Sequence, residues 1–165
     1  MQITENVFTQ ETLAKLHNFS RDGRQPTKTN FFHYTDDVVG VSNAIFCFYL
    51  EDELKKIVFD ELVNKNILPS VPKVSYAYVH LFSRNSFIPW HNDSKYIFTV
   101  TVYLNNSWDI NFGGLFVFQE GTELKCLFPK YNTAVNYVPP VGHTTTTTNI
   151  NAPFRESLQI FVAEF

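Results

Sequence analysis

The chain has only two cysteines, Cys47 and Cys126, and a disulfide framework cannot be built from so few. Each lies in an apolar run and reads as a buried free thiol. A basic stripe is missing too. Lys15, Arg21 and Arg24 come early, Lys125 and Lys130 come late, and the formal net charge is −3. Binding to a phosphate backbone needs clustered Lys and Arg, so nucleic acid is not an expected partner. No apolar run approaches the length of a membrane span. The start, Met1-Gln2-Ile3-Thr4-Glu5, has neither the basic opening nor the apolar core of a signal peptide. The expectation is a cytoplasmic protein that engages no membrane. The low hydrophobicity and high charge of disordered chains are absent, and no internal repeat is visible.

What is present is aromatic bulk. The 165 residues are 44% hydrophobic and include 17 Phe, enough for one domain with a substantial core. Residues 1–72 read as helical support with an N-terminal arm. Thr9 can cap a helix over residues 10–18, which Ser20-Arg21-Asp22-Gly23 ends. Residues 30–35 (NFFHYT) form an aromatic arm, and residues 30–37 are a candidate lid. A second helix is expected over residues 50–64. There Leu50, Leu54, Ile57, Val58 and Leu62 share one face of a 3.6-residue period, with Glu51, Lys55 and Lys56 outside.

From residue 73 to 165 the pattern changes to β. Strands are expected at 74–82, 96–104, 115–119, 124–128, 133–138 and 157–164, with a short piece at 90–93. Asn105-Asn106, Gly113-Gly114, Glu120-Gly121 and Pro139-Pro140 mark turns between them. The threonine run 144–148 reads as a strand edge or loop. A mainly β sandwich, jelly roll or small barrel, braced by helices, is the architecture this order implies.

Five histidines are present, and most isolated histidines are surface or packing residues. His17 and His33 take that reading. His91 is set apart by Asp93, because residues two apart on an extended strand point to the same side. A second histidine on a facing strand would complete a site, and His143 follows the strand at 133–138. Two imidazoles and one carboxylate on one face of a metal leave the opposite positions open, as non-haem Fe(II) requires for co-substrate and O2. The segment around Arg155 alternates. Arg155, Ser157 and Gln159 share one face, and Leu158 and Ile160 share the other. That polar face can meet water, or it can point into the metal cavity. In the second case the planar guanidinium would grip a carboxylate bidentately, with Ser157 and Tyr103 as neighbouring hydroxyls. Arg84 and Trp90 beside the metal strand are candidate substrate contacts. As the bland alternatives, Arg84 is a solvated turn residue and Trp90 a core residue.

The stretch Phe82 to Asp93 (FSRNSFIPWHND) resembles the metal segment of prolyl 4-hydroxylase-like dioxygenases. Thr101 to Asp109, with Gly113-Gly114-Leu115, is similar to a stretch of the oxygen-sensing prolyl hydroxylases. Pro129 to His143 resembles the strand pair leading to their distal histidine, and Arg155-x-Ser157 resembles their co-substrate anchor. The likeness spans residues 74–165. Three departures stand out. Phe82 replaces the family's tyrosine, Asn85 replaces its glycine, and the interval from His143 to Arg155 is longer than usual.

The resemblance implies a double-stranded β-helix (jelly roll) with the metal between two sheets. Fe(II) would be held by His91, Asp93 and His143. 2-Oxoglutarate would be anchored by Arg155, Tyr103 and Ser157, O2 would be the oxidant, and ascorbate a reductant. The implied activity is hydroxylation of a peptide or protein, at a prolyl residue. Asp93 favours hydroxylation over halogenation, since halogenating relatives carry a small residue there. Hydroxylation of a free amino acid or small metabolite is the alternative within the class. A metal-binding jelly roll without catalysis is the alternative outside it. Nucleic-acid dealkylation fits less well, because nothing basic follows Arg155.

Overall fold

Alternation along the strands decides the architecture. The computed structural model describes residues 1–21, 28–30 and 44–165. The helix stop at Asp22-Gly23, His33, and most of the aromatic arm and candidate lid lie outside the described residues. The elements run β1 (Gln2–Glu5), α1 (Gln10–Arg21), β2 (Lys28–Asn30), β3 (Ile45–Tyr49), α2 (Asp52–Asn64), β4 (Val74–Phe82), β5 (Ile88–His91) and β6 (Phe98–Tyr103). After a 3-10 turn at Ile110–Phe112 come β7 (Phe116–Glu120), β8 (Glu123–Leu127), β9 (Thr133–Tyr137), β10 (His143–Thr145) and β11 (Arg155–Glu164). Among the described residues they form a seven-stranded sheet, β1-β9-β6-β11-β4-β3-β2, and a four-stranded sheet, β5-β10-β7-β8. Every strand pair among the described residues is antiparallel.

One face of the larger sheet is the helix side. Val79, Val100, Val102, Leu158 and Ile160, all fully buried, join Leu13, Leu16, Val58 and Leu62 of the helices in one core. Each such side chain contributes about 1.5–3 kcal/mol on leaving water. The other face of that sheet looks toward the smaller one. Between them Tyr103, Val135 and Tyr137 meet Phe116 and Phe118 in a second cluster. Two antiparallel sheets face to face, with helices outside, make a jelly-roll sandwich.

The expected elements are largely found, and the differences have physical causes. Thr9 does cap α1, its hydroxyl accepting from the Thr12 amide at 3.3 Å. The helix then continues beyond residue 18, because Phe19 and Ser20 are buried and the last turn closes over Glu156. Glu156 is fully buried and accepts from Ser20 Oγ at 2.7 Å, His17 Nδ1 at 3.0 Å and Arg21 at 2.8 Å. Strands β1 and β3 fall where helix and loop were expected; among the described residues β1 pairs with β9 alone, as an edge strand. The threonine run is partly strand, with Thr145 and Thr148 buried. Thr148 Oγ1 donates to the Ser83 carbonyl at 2.9 Å and accepts from the Ser86 amide at 3.1 Å, locking the turn that precedes β5.

Cys47 is buried as expected, but Cys126 is exposed. It sits on β8, the edge of the smaller sheet, where Leu127 turns inward and its neighbour must turn out. Asn85 adopts φ +59°, the left-handed region that glycine or Asn enters most readily. No helix among the described residues is long and apolar enough to cross a membrane.

Replacing Glu156 by Ala removes three hydrogen bonds at a fully buried carboxylate and is expected to cost about 1–3 kcal/mol in urea unfolding. Arg21→Ala should cost less than about 1 kcal/mol, since that side chain is 60% exposed.

Candidate metal and carboxylate site

His143 is the direct antiparallel partner of His91, so both side chains leave the same face of the smaller sheet, with ring centroids 4.2 Å apart. The second histidine thus arrives from the adjacent strand of one sheet, rather than from a facing strand. Asp93 lies just past the end of β5. Donor atoms of His91, Asp93 and His143 all fall within 4.8 Å of one another. Oδ1 of Asp93 is 3.6 Å from His91 Nε2, and Oδ2 is 3.6 Å from His143 Nε2.

The backbone sets the tautomers. His91 Nδ1 is 2.8 Å from the Pro89 carbonyl, and His143 Nδ1 is 2.7 Å from the Val141 carbonyl. A carbonyl only accepts, so each Nδ1 carries the proton and each Nε2 presents a lone pair. Tyr137 donates its hydroxyl to Asp93 Oδ2 at 2.7 Å and stands 3.1 Å from His143 Nε2. The phenol has one proton and the carboxylate takes it. Burial above all, and then the charge of Asp93, pushes the Tyr137 pKa up. His143 is pushed below the ordinary imidazole value, chiefly by burial and then by His91; the Val141 carbonyl and Asp93 pull the other way. Two lone pairs and a carboxylate 8% exposed, with no Lys or Arg paired to it among the described residues, fit a divalent cation. The donor set is the one that suits non-haem Fe(II).

Arg155 opens β11 opposite Phe82 and is 2% exposed. Its Nε donates to the Gly114 carbonyl at 2.8 Å, and its guanidinium carbon lies 4.6 Å from the Phe82 ring centroid and 5.3 Å from that of Tyr103. Burial lowers its pKa. Among the described residues no carboxylate pairs with it. The Tyr103 hydroxyl is buried with no hydrogen-bond partner, and burial raises its pKa to about 12 against the pull of Arg155. Ser157 is the cross-strand partner of Tyr103. Arg155, Ser157 and the triad line one cavity of about 420 Å³ between the sheets, and Tyr103 packs behind Arg155. The polar face of β11 therefore meets the cavity, not bulk water.

Gly114 accounts for part of this geometry. It has φ +65°, and a Cβ there would stand 2.7 Å from Arg155 Cδ, so only glycine lets the arginine stem pass.

Other expected candidates lie elsewhere. His17 binds Glu156 on the helix side. Trp90 is 45% exposed on the outer side of β5, so it is not core. Arg84 Nε donates to the Ala152 carbonyl at 3.3 Å, away from the metal cavity. Tyr137 was not foreseen. Its strand was legible, but its place came from the register that sets it opposite Thr99, which no local motif encodes.

No family model matches the chain, and no curated protein matches it in sequence. Solved structures do. A prolyl-4-hydroxylase from Pseudomonas putida is 12% identical, with a TM-score of 0.71 over 99% of this chain and 92% of its own. An oxidoreductase of the 2OG-Fe(II) oxygenase family from Burkholderia pseudomallei is 18% identical, with a TM-score of 0.71 over 96% and 81%. A prolyl hydroxylase from Trichoplax adhaerens, in complex with a hypoxia inducible factor peptide fragment, is 12% identical, with a TM-score of 0.73 over 98% and 82%. The chain thus has the jelly-roll fold of 2-oxoglutarate–Fe(II) oxygenases. Within that class, its fold is shared with prolyl hydroxylases.

The lowered His143 pKa sets a pH dependence for the metal-free protein. Below about 6.5 an unfolded His143 takes up a proton that the folded one refuses. Stability should fall as pH drops through about 6.5, and level once the folded histidine also protonates. Denaturation midpoints of wild type and His143→Asn between pH 7.5 and 5 test this; the variant should show the shallower decline.

Proposed function

We propose that this chain is an Fe(II)- and 2-oxoglutarate-dependent oxygenase that hydroxylates a peptidyl substrate, at a prolyl residue. One observation carries the reading: a buried guanidinium, with no carboxylate partner among the described residues, shares its cavity with a two-histidine, one-carboxylate cluster. A site built that way asks for a divalent cation and a small carboxylate together.

His91, Asp93 and His143 would hold Fe(II) through the two Nε2 atoms and the carboxylate. Arg155 would take the far carboxylate of 2-oxoglutarate with its remaining N–H groups. Tyr103, whose hydroxyl proton has no acceptor, would donate to the same carboxylate, and Ser157 stands beside it. The chemistry supplied by the bound group is oxidative decarboxylation of 2-oxoglutarate to succinate and CO2, one oxygen atom entering succinate and the other the substrate as hydroxyl. The protein's part is placement and dryness. Phe82 and Phe116 line the cavity beside the polar groups, and the low dielectric there strengthens the hold of Arg155 on its anion. Asp93 would give the metal a carboxylate where halogenating relatives carry a small residue, which favours hydroxylation.

The peptidyl preference is supported by the Trichoplax adhaerens neighbour, which is seen with a peptide fragment. Ascorbate as reductant belongs to the same reading and rests on the family resemblance alone.

Adding Fe(II) and 2-oxoglutarate to the protein without O2 should give the weak visible charge-transfer band of the chelate. His91→Ala should abolish it. Arg155→Ala should demand roughly 30-fold or more co-substrate, as expected when a buried charge loses a partner worth about 2 kcal/mol or more. A folded, iron-loaded wild type with no band at saturating 2-oxoglutarate would overturn the co-substrate assignment. With O2, a gain of one oxygen on proline-containing peptides and not on free amino acids is the result expected for the substrate class. Gly114→Ala should also weaken co-substrate binding, by about 1–3 kcal/mol, because the added methyl strains a positive φ and displaces Arg155.

A further inference from the structure

Asp93 is held from across the sandwich. Tyr137 stands on β9 of the larger sheet, and Asp93 follows β5 of the smaller one, so their 2.7 Å hydrogen bond joins the two sheets at the metal cluster. Tyr137 is 3% exposed, and its ring packs near Phe116 and His143, with centroids 6.3 and 5.3 Å away. The hydroxyl is therefore aimed by packing. It makes the two carboxylate oxygens unequal. Oδ2 accepts the phenol proton, whereas Oδ1 faces His91 Nε2 at 3.6 Å and accepts no hydrogen bond from the described residues. A carboxylate with both oxygens free can close on a cation with both and so fill two coordination positions. One whose second oxygen is engaged offers a single strong donor.

We propose that Tyr137 is the positioning residue of the metal centre: its hydroxyl holds Oδ2 of Asp93, leaving Oδ1 as the oxygen that takes the cation. The inference rests on His91, Asp93 and His143 being the metal ligands. It adds a reason why positions stay open for a chelating co-substrate, and it gives the carboxylate a fixed plane before metal arrives. Hydrogen-bonded partners of metal ligands elsewhere change affinity by about 10–100-fold when removed.

The test uses Tyr137→Phe, which deletes one oxygen and keeps the ring. Co(II) is titrated into metal-free wild type and variant, without 2-oxoglutarate, and followed by its visible spectrum. The variant should bind Co(II) roughly tenfold or more weakly, with altered band intensities as the freed carboxylate turns. Tyr131→Phe, which removes a phenol stacked on His17 on the helix side, should leave Co(II) affinity alone. A folded Tyr137→Phe with wild-type affinity and spectrum would overturn the proposal while leaving the metal assignment intact. So would an intense visible band on Fe(III) binding that Tyr137→Phe abolishes, since that would make the phenolate itself a ligand. If the variant does not fold, the carboxylate stretching bands of the wild type on Co(II) binding decide. A wide separation supports one-oxygen ligation and a narrow one overturns it. Wild type that binds Co(II) as described but never consumes 2-oxoglutarate would sink the oxygenase reading and leave this one standing. Wild type that binds no Co(II) would sink the metal assignment and this proposal with it.

Discussion

The arrangement turns on keeping two opposite charges buried in one slot without letting them neutralise each other. Arg155 cannot shed its proton in any ordinary protein setting, and Asp93 is almost as deeply buried. Were they in contact they would form a buried ion pair, and the cavity would hold nothing. The strands prevent it. Arg155 enters from the larger sheet and is tied to the Gly114 carbonyl between two aromatic faces. Asp93 enters from the smaller sheet, held by the Tyr137 phenol, with the two imidazole Nε2 atoms 3.6 Å from its oxygens. Each is solvated by neutral groups, enough to be tolerated and too little to be satisfied. An unfinished cation calls for an anion and an unfinished anion for a cation. That is the electrostatic demand for a metal and a carboxylate acid in one place.

Strand β11 shows how the rest of the fold serves this demand. Consecutive residues on it face opposite layers, so Arg155 meets the cavity while Glu156 meets the helices. Glu156 is also fully buried, but its charge is met inside the chain by Ser20, His17 and Arg21 from the last turn of α1. The same backbone is thus pinned from behind at the point where it presents its unmatched guanidinium in front. The helix layer does more than cover apolar surface. It fixes the strand from which Arg155 projects.

Much of this was legible in the sequence, because it follows from period-2 alternation and a few residue types. Strand β4 lies where its β-branched and aromatic run placed it, the polar face of β11 carries Arg155 and Ser157, and Asn85, which replaces the family's glycine, takes a left-handed conformation. His91, Asp93 and His143 come together as their spacing suggested, though through direct pairing of β5 with β10 rather than across the sandwich. What was not legible depends on register and on edges. Tyr137 reaches Asp93 because β9 pairs with β6 in one particular register. Cys126 is exposed because the register of β8 turns Leu127 inward and Cys126 out. The end of α1 follows Glu156, 135 residues away from Arg21 in sequence.

The long interval between His143 and Arg155 fits the same logic. Thr146 Oγ1 accepts from the Leu115 amide at 2.9 Å, beside Gly113-Gly114, and Thr148 ties down the Ser83–Ser86 turn. The threonine run therefore stitches together the two segments that frame the site: the turn ahead of His91 and the glycine pair that receives Arg155. A short hydroxyl side chain suits that task, because it can serve neighbouring backbone groups while the strand continues. Such stitching constrains geometry without prescribing a recognisable motif. That is how a chain only 12–18% identical to proteins of its fold can still bring a histidine pair, a carboxylate and a buried arginine to one cavity. The fold needs alternation and the site needs four side chains in place; the residues that hold them there are free to differ.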